Sequence, residues 1–374
     1  MSNAASPVRY TQAAHWFFPA AAVYAALAIP LSLMAFFGHG LPAATISTHG
    51  AEMLFGFGLA LIAGYLGGAL RVRDAWLLFG LWLVARVLAW TVTPPLWSQL
   101  FSSFFAVTLG IMTASRFQSA RQWRNRYLMP LLLLLGVMPL GLLLTQFISV
   151  SRELLFPLLP LILFSQLMMY MGGRVIAPLI SSRLRQQGEQ VRLQVQPEIE
   201  GALLAISALA LMLVLVGLHW TLAWQAAGVL LLLCAVLVLV RLLRWQPWRQ
   251  RGHADLLSLC IGYFWLVPGL AMLGIALLQG ETRVTLALHV ITIGAMGTLA
   301  AAIILRQWYW RLRHASPPAS ISYSLTALIG AAALLRLASV SGLLPYNSLW
   351  LAAACWTLAF SLLAVTLWRV RRGG

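Results

Sequence analysis

The sequence predicts an all-α polytopic membrane protein with twelve transmembrane helices and both termini in the cytoplasm. Three observations carry that prediction. Hydrophobic residues make up 61% of the 374 residues and charged residues only 9%, where an average soluble domain carries about 25% charge. Continuous apolar runs of about 20 residues, enough to cross a hydrocarbon core of roughly 30 Å, recur along nearly the whole chain. Because they are continuous and not alternating, a transmembrane β-barrel is excluded. The basic residues then segregate: all 25 are arginine, and all except Arg86, Arg152, Arg283 and Arg336 fall on one side of the twelve spans. The positive-inside rule makes that side cytoplasmic. The net charge of +17 is thus placed as topological anchors in contact with the lipid bilayer, and no nucleic-acid partner is expected.

Taken in order, the first residues are polar, and the run at 16–37 is too long for the apolar part of a signal peptide, so no cleavage is expected. The second span, 50–70, ends in YLGGALRVR. The third, 75–93, carries Arg86 near its middle, and the fourth is 97–115. After an arginine-rich turn come 128–149 and 153–172, the latter running into GGRVIAPL at 172–179. Residues 173–200 form the longest interruption, read as a cytoplasmic connector within a single transmembrane domain covering 1–374. Spans follow at 201–218, 221–243, 255–278, 284–305, 320–339 and 348–368, the last closing on Arg369, Arg371 and Arg372. Spans 2 and 6 run in the same direction and both reach the cytoplasm through a Gly pair followed by Arg-Val; span 10 runs the same way. A 4+4+4 repeat is therefore one reading of the chain. Cys234, Cys260 and Cys355 lie in apolar runs at spacings that give neither a disulfide framework nor a Cys-x-x-Cys site.

Span 2 holds the densest set of chemistry-bearing residues. His49, Glu52 and Met53 share one face at helical spacing, and Glu52 continues as Gly56, Ala60, Gly64 and Gly68, a stripe that lets another backbone approach. Of seven histidines and eight acids, His49 and His289 are the histidines placed inside spans near the outer face, at similar depth. Thr292 and Met296 share a face with His289, and Gly294 and Gly297 would admit a partner or a flat cofactor. Ionisable groups within a membrane are rare and mark functional sites. Two imidazoles on different helices suit haem iron held from both faces. They equally suit copper, for which Met53 adds a soft thioether. Glu52 would orient an imidazole through its second nitrogen or stay protonated as a relay. Arg86 would face carbonyls, a haem propionate or an anionic substrate. No phosphate loop, Ser-His-Asp set or zinc pattern appears, so no catalytic constellation is identified.

The segment THGAEMLFGFGLALIAGYL resembles the HAHEMLFGF-type signature of the NnrS family, and RQWRNRYLMPLLLLLG (121–136), GGRVIAPL (172–179) and HVITIGAMGT (289–298) agree in order. The resemblance implies a multi-pass protein of the bacterial inner membrane, containing haem and copper and linked to nitric oxide stress. It puts the family's first signature histidine at His49 and its Glu-Met at Glu52 and Met53. The second signature histidine falls on Ala51, a histidine expected before the Gly-Tyr of span 9 is Cys260, and the Gly-His-Thr-Gly-Arg after span 10 is replaced by the WYWRLRH region. Retention of His49, Glu52 and His289 implies one cofactor site near the outer face, with haem between spans 2 and 10; copper has lost most of its donors. The twelve-span plan with histidines in spans 2 and 10 also looks like the large subunit of the haem-copper oxidases, although span 6 has no histidine. Two rivals remain: a transporter or channel with a polar site at Glu52 and Arg86, and a cofactor-free assembly or sensing subunit.

Overall fold

The computed structural model describes residues 9–39, 46–93, 95–118, 126–144, 152–188, 196–280 and 284–372. Contacts divide the chain into two compact units, Met1–Leu143 and Leu144–Gly374. Nearly every described residue is helical, as the apolar runs predict. Ten helices among the described residues are long and apolar enough to cross a bilayer. Two further helices, Val72–Thr91 and Leu128–Leu144, occupy the remaining two expected spans. Large apolar side chains such as Leu27, Val87, Met212, Leu222 and Leu358 face outward, which suits a lipid solvent and not water.

The first unit opens with a feature no apolar pattern signals. Strand β1 (Tyr10–Gln12) pairs antiparallel with β2 (Ala69–Arg71), Thr11 opposite Leu70. This ribbon joins the start of α1 (Ala13–Phe36) to the end of a helix made of α2 (Ile46–Ala51), a π-helical turn π1 (Glu52–Gly58) and α3 (Leu59–Leu66). The small stripe of that helix works as expected. Gly64 lies against Phe17 and Phe18, and Gly67 against Ala13, so α1 packs closely along it. Helix α4 (Val72–Thr91) buries Ala75, Leu78, Trp82, Ala85, Arg86 and Ala89, an i, i+3/i+4 face, and turns Val84 and Val87 outward. It packs on α5 (Leu96–Gln118), and α6 (Leu128–Leu144) completes the unit.

The second unit is built around α7 (Arg152–Gln186), whose 35 residues extend about 52 Å at 1.5 Å per residue. That exceeds the hydrocarbon thickness, so the stretch expected as a connector is helical as far as Gln186. The chain is helical again from Pro197, and residues 189–195 of the connector lie outside the described residues. Helices α8 (Pro197–Val216) and α9 (Thr221–Arg244) follow. The next span breaks into α10 (Ala254–Phe264) and α11 (Leu266–Leu278) at Trp265, where Pro268 withholds the N–H that Phe264's carbonyl would accept. Gly228 and Gly274 meet backbone to backbone between α9 and α11. Then comes α12 (Thr285–His289), a second π-helical turn π2 (Val290–Gly297) and α13 (Thr298–Arg313) in one continuous helix. Helices α14 (Ala319–Val340) and α15 (Ser348–Arg372) complete the unit.

Candidate functional site

The two segments singled out by their histidines are the two π-helical turns. His49 is three residues before π1, and His289 immediately precedes π2. π-helical turns are uncommon and concentrate where a helix does something other than pack. In π1 all seven residues, from Glu52 to Gly58, are buried. Hydropathy cannot reveal a π turn, because it keeps the same apolar composition and alters only the hydrogen-bond ladder.

His49 is half-buried and Met53 buried. Glu52 does not turn its carboxylate to an imidazole. Its Oε2 accepts from Arg86 Nη1 at 2.6 Å and from the Tyr24 hydroxyl, and both members of the ion pair are about 95% buried. Trp90 Nε1 donates to Tyr24 at 3.0 Å, Arg86 Nη2 donates to Ser102 Oγ, and Ser102 donates to the Ser98 carbonyl at 2.8 Å. Trp82 Nε1 donates to the Gly56 carbonyl at 2.8 Å, capping a backbone group of π1. Gly56 is required here: a Cβ would collide with Arg86 and Tyr24 and sit 3.2 Å from Glu52. Glu52 and Arg86, the two residues of the alternative polar site, are thus in contact, and their charges cancel. Arg86 meets a carboxylate of its own unit.

His289 lies in the second unit. Its Nδ1 is 2.7 Å from the Thr285 carbonyl. A carbonyl only accepts, so Nδ1 carries the proton and, in the neutral ring, Nε2 carries the lone pair. Thr292 shares this helix turn and donates to Leu288 at 2.8 Å. Room for a flat cofactor beside Gly294 and Gly297, expected from sequence, is taken by the protein's own indoles. A Cβ on Gly294 would meet Trp265 at 2.7 Å, and one on Gly297 would meet Trp356 at 2.6 Å. Among the described residues no three His, Cys, Asp or Glu side chains converge as a metal-ligand set, and Cys260 is buried.

Two further ion-pair sites went unread in the sequence. Glu200, fully buried at the start of α8, accepts from Arg241 at 2.9 Å and from Arg174 at 3.0 Å. Arg241 Nη1 also donates to the Met169 carbonyl at 2.9 Å. The Gly pair of GGRVIAPL makes this possible: Gly172 lies under the Tyr263 ring, and Gly173 under Arg241 and Glu200. Asp255, on the first turn of α10, pairs with Arg306 of α13. Arg174, Arg241 and Arg306, expected only as topological anchors, therefore also neutralise buried carboxylates. The available signal was the scarcity of acids: each buried acid sits where an arginine on another span reaches the same depth. Arg336 is half-buried on α14.

A family model described as NnrS protein matches residues 10–371. No curated protein shows a significant match to the chain.

Proposed function

Because the chain belongs to the NnrS family, we propose that it is a multi-pass haem protein of the bacterial inner membrane acting in the response to nitric oxide. In this reading it has twelve spans and cytoplasmic termini, and His49 and His289 would hold the haem. The observation that carries it is the hydrogen bond from His289 Nδ1 to the Thr285 carbonyl. That bond fixes the tautomer and ring orientation and presents Nε2 as a donor, the arrangement that ligating histidines adopt. A π turn beginning three residues after His49 and one directly after His289 support the same reading.

Trp265 and Trp356 cover Gly294 and Gly297, so His49 and His289, and not the glycines, are the residues that would hold such a group. A haem held there would supply one-electron redox chemistry and gas binding. Glu52 acts at a distance, since its Oε2 is held by Arg86 and Tyr24; it stiffens the π turn that follows His49. Met53 is the thioether available to a cuprous ion, and copper is secondary because Ala51 and Cys260 replace family histidines. The bilayer interior gives a small, weakly polar gas direct access.

The test is the absorption spectrum of the purified protein with haem and metal analysis. A Soret band that is lost or shifted in His49→Ala and His289→Ala is expected. Absence of the band, or a band unchanged in both variants, refutes the proposal. The rival transport reading predicts instead a metal-free protein whose flux responds to Glu52→Gln.

A further inference from the structure

Serine and threonine hydroxyls inside these helices commonly donate to the carbonyl four residues back, although Ser103, buried without a hydrogen-bond partner, is an exception. Ser165 does so to Leu161 at 2.8 Å, Ser207 to Leu203 at 2.6 Å, Ser258 to Ala254 at 2.8 Å and Thr292 to Leu288 at 2.8 Å. Thr298 is another exception. It is the first residue after π2, is 1% exposed, and its Oγ1 has no hydrogen-bond partner within the protein.

The same hydroxyl lines a cavity of about 10 Å³ together with Asp255, Ser258, Ser322 and Thr326. Ser258 has given its hydrogen to Ala254, and Thr326 has given its own to Ser258 Oγ at 2.7 Å or to the Ser322 carbonyl at 2.9 Å. These oxygens therefore offer lone pairs, as does the Asp255 carboxylate, and Thr298 offers the hydrogen that no protein atom takes. One donor faces several acceptors across a gap that the protein does not fill.

We propose that this cavity is a binding site for one water molecule, which accepts from Thr298 and donates to Asp255 and to Ser258 or Thr326. The volume admits one water and not two, and three hydrogen bonds are what a buried water ordinarily makes. Charge separates water from the other oxygen-seeking ligand, a sodium ion. Arg306 already neutralises Asp255, so a cation would bring an uncompensated charge into an apolar interior, whereas water brings none. The bound water joins α10, α13 and α14 just after π2 and satisfies the Thr298 hydroxyl.

Thr298→Val in the full-length protein separates the outcomes by sign. If water is bound, the nearly isosteric change removes its donor and Tm falls by a few degrees, equally in sodium and choline chloride. If the cavity is dry, the change deletes a buried unsatisfied hydroxyl, and an unchanged or higher Tm overturns the proposal. A wild-type Tm that rises specifically with sodium, an effect lost in Thr298→Val, would assign a cation and also overturn it. An independent measurement is a high-resolution structure of the wild type: one ordered oxygen within hydrogen-bond distance of Thr298 and Asp255 is expected, and empty density refutes the site.

Discussion

Replacing Arg86 by Met while Glu52 remains should be among the most damaging single changes in the first unit. Glu52 and Arg86 are each about 95% buried and 2.6 Å apart. Removing the guanidinium leaves the carboxylate with the Tyr24 hydroxyl and no compensating charge. Breaking a buried pair from one side costs about 3–5 kcal/mol, a fall in Tm of roughly 6–20 °C for a unit of this size. The matching measurement is a double-mutant cycle with Glu52→Gln, followed by thermal unfolding of the detergent-purified protein. Once the carboxylate is neutral, losing Arg86 leaves no orphan charge, so the double variant should be more stable than the sum of the singles implies, by about 2 kcal/mol or more. The internal control is Arg73–Asp74, 3.6 Å apart with the arginine side chain 85% exposed, where Arg73→Met should cost about 0–1 kcal/mol. Additive single effects, or an Arg86→Met no worse than Arg73→Met, would refute the assignment of the pair as a structural keystone of π1.

The same substitution should act with opposite sign at two helical glycines. At Gly173 a methyl group would lie 2.5 Å from Glu200 and closer still to Arg241, so Gly173→Ala should force the buried pair apart and cost roughly 3–5 kcal/mol. At Gly80, where a Cβ meets nothing within 4 Å, Gly80→Ala should stabilise by about 0.5–1 kcal/mol; a thermal-shift comparison of the two decides it. His253, before α10, has its pKa held below the usual histidine value by burial first, then by the charges of Arg183 and Arg306. The unfolded chain therefore binds the extra proton first as pH falls. The stability that neutral His253 contributes is complete above about pH 6.5 and is lost as pH falls through that value toward its lower folded pKa. His253→Gln should flatten the slope of Tm between about pH 7.5 and about pH 5.5, and an unchanged slope would count against this origin.

Much of the fold was legible because lipid and backbone impose one solution on a long apolar run: a helix. The small stripe Gly56, Ala60, Gly64 was legible for the same reason, and α1 lies against it. What escaped is whatever apolar composition does not encode. Tyr10–Gln12 reads as part of a polar start and residues 69–70 as the end of span 2, because a three-residue strand has no period to detect. The stretch 173–200 reads as a connector, although residues 173–186 continue a long helix. The π turns at Glu52 and Val290 alter phase without altering hydropathy. At the site, Glu52 and Arg86 were each recognised as costly in a membrane, yet only three dimensions could show that each is the other's remedy. Glu200 and Asp255 were missed because an acid on a first turn is ordinarily explained by the helix dipole. Gly294 and Gly297 read as room for a partner or a flat cofactor; partners do come close there, but which ones, Trp265 and Trp356, on other stretches of chain, only the fold shows.

The two π turns also bear on how this chain can vary. Each is a helix segment holding an extra residue relative to an α-helix of the same rise, so its defining property is a length and not a side chain. A single deletion within 290–297 would let the ladder relax to ordinary α geometry over the same rise and abolish the π turn after His289. Divergence in these segments is therefore expected to conserve spacing more strictly than identity, with gaps excluded from them even where substitutions accumulate.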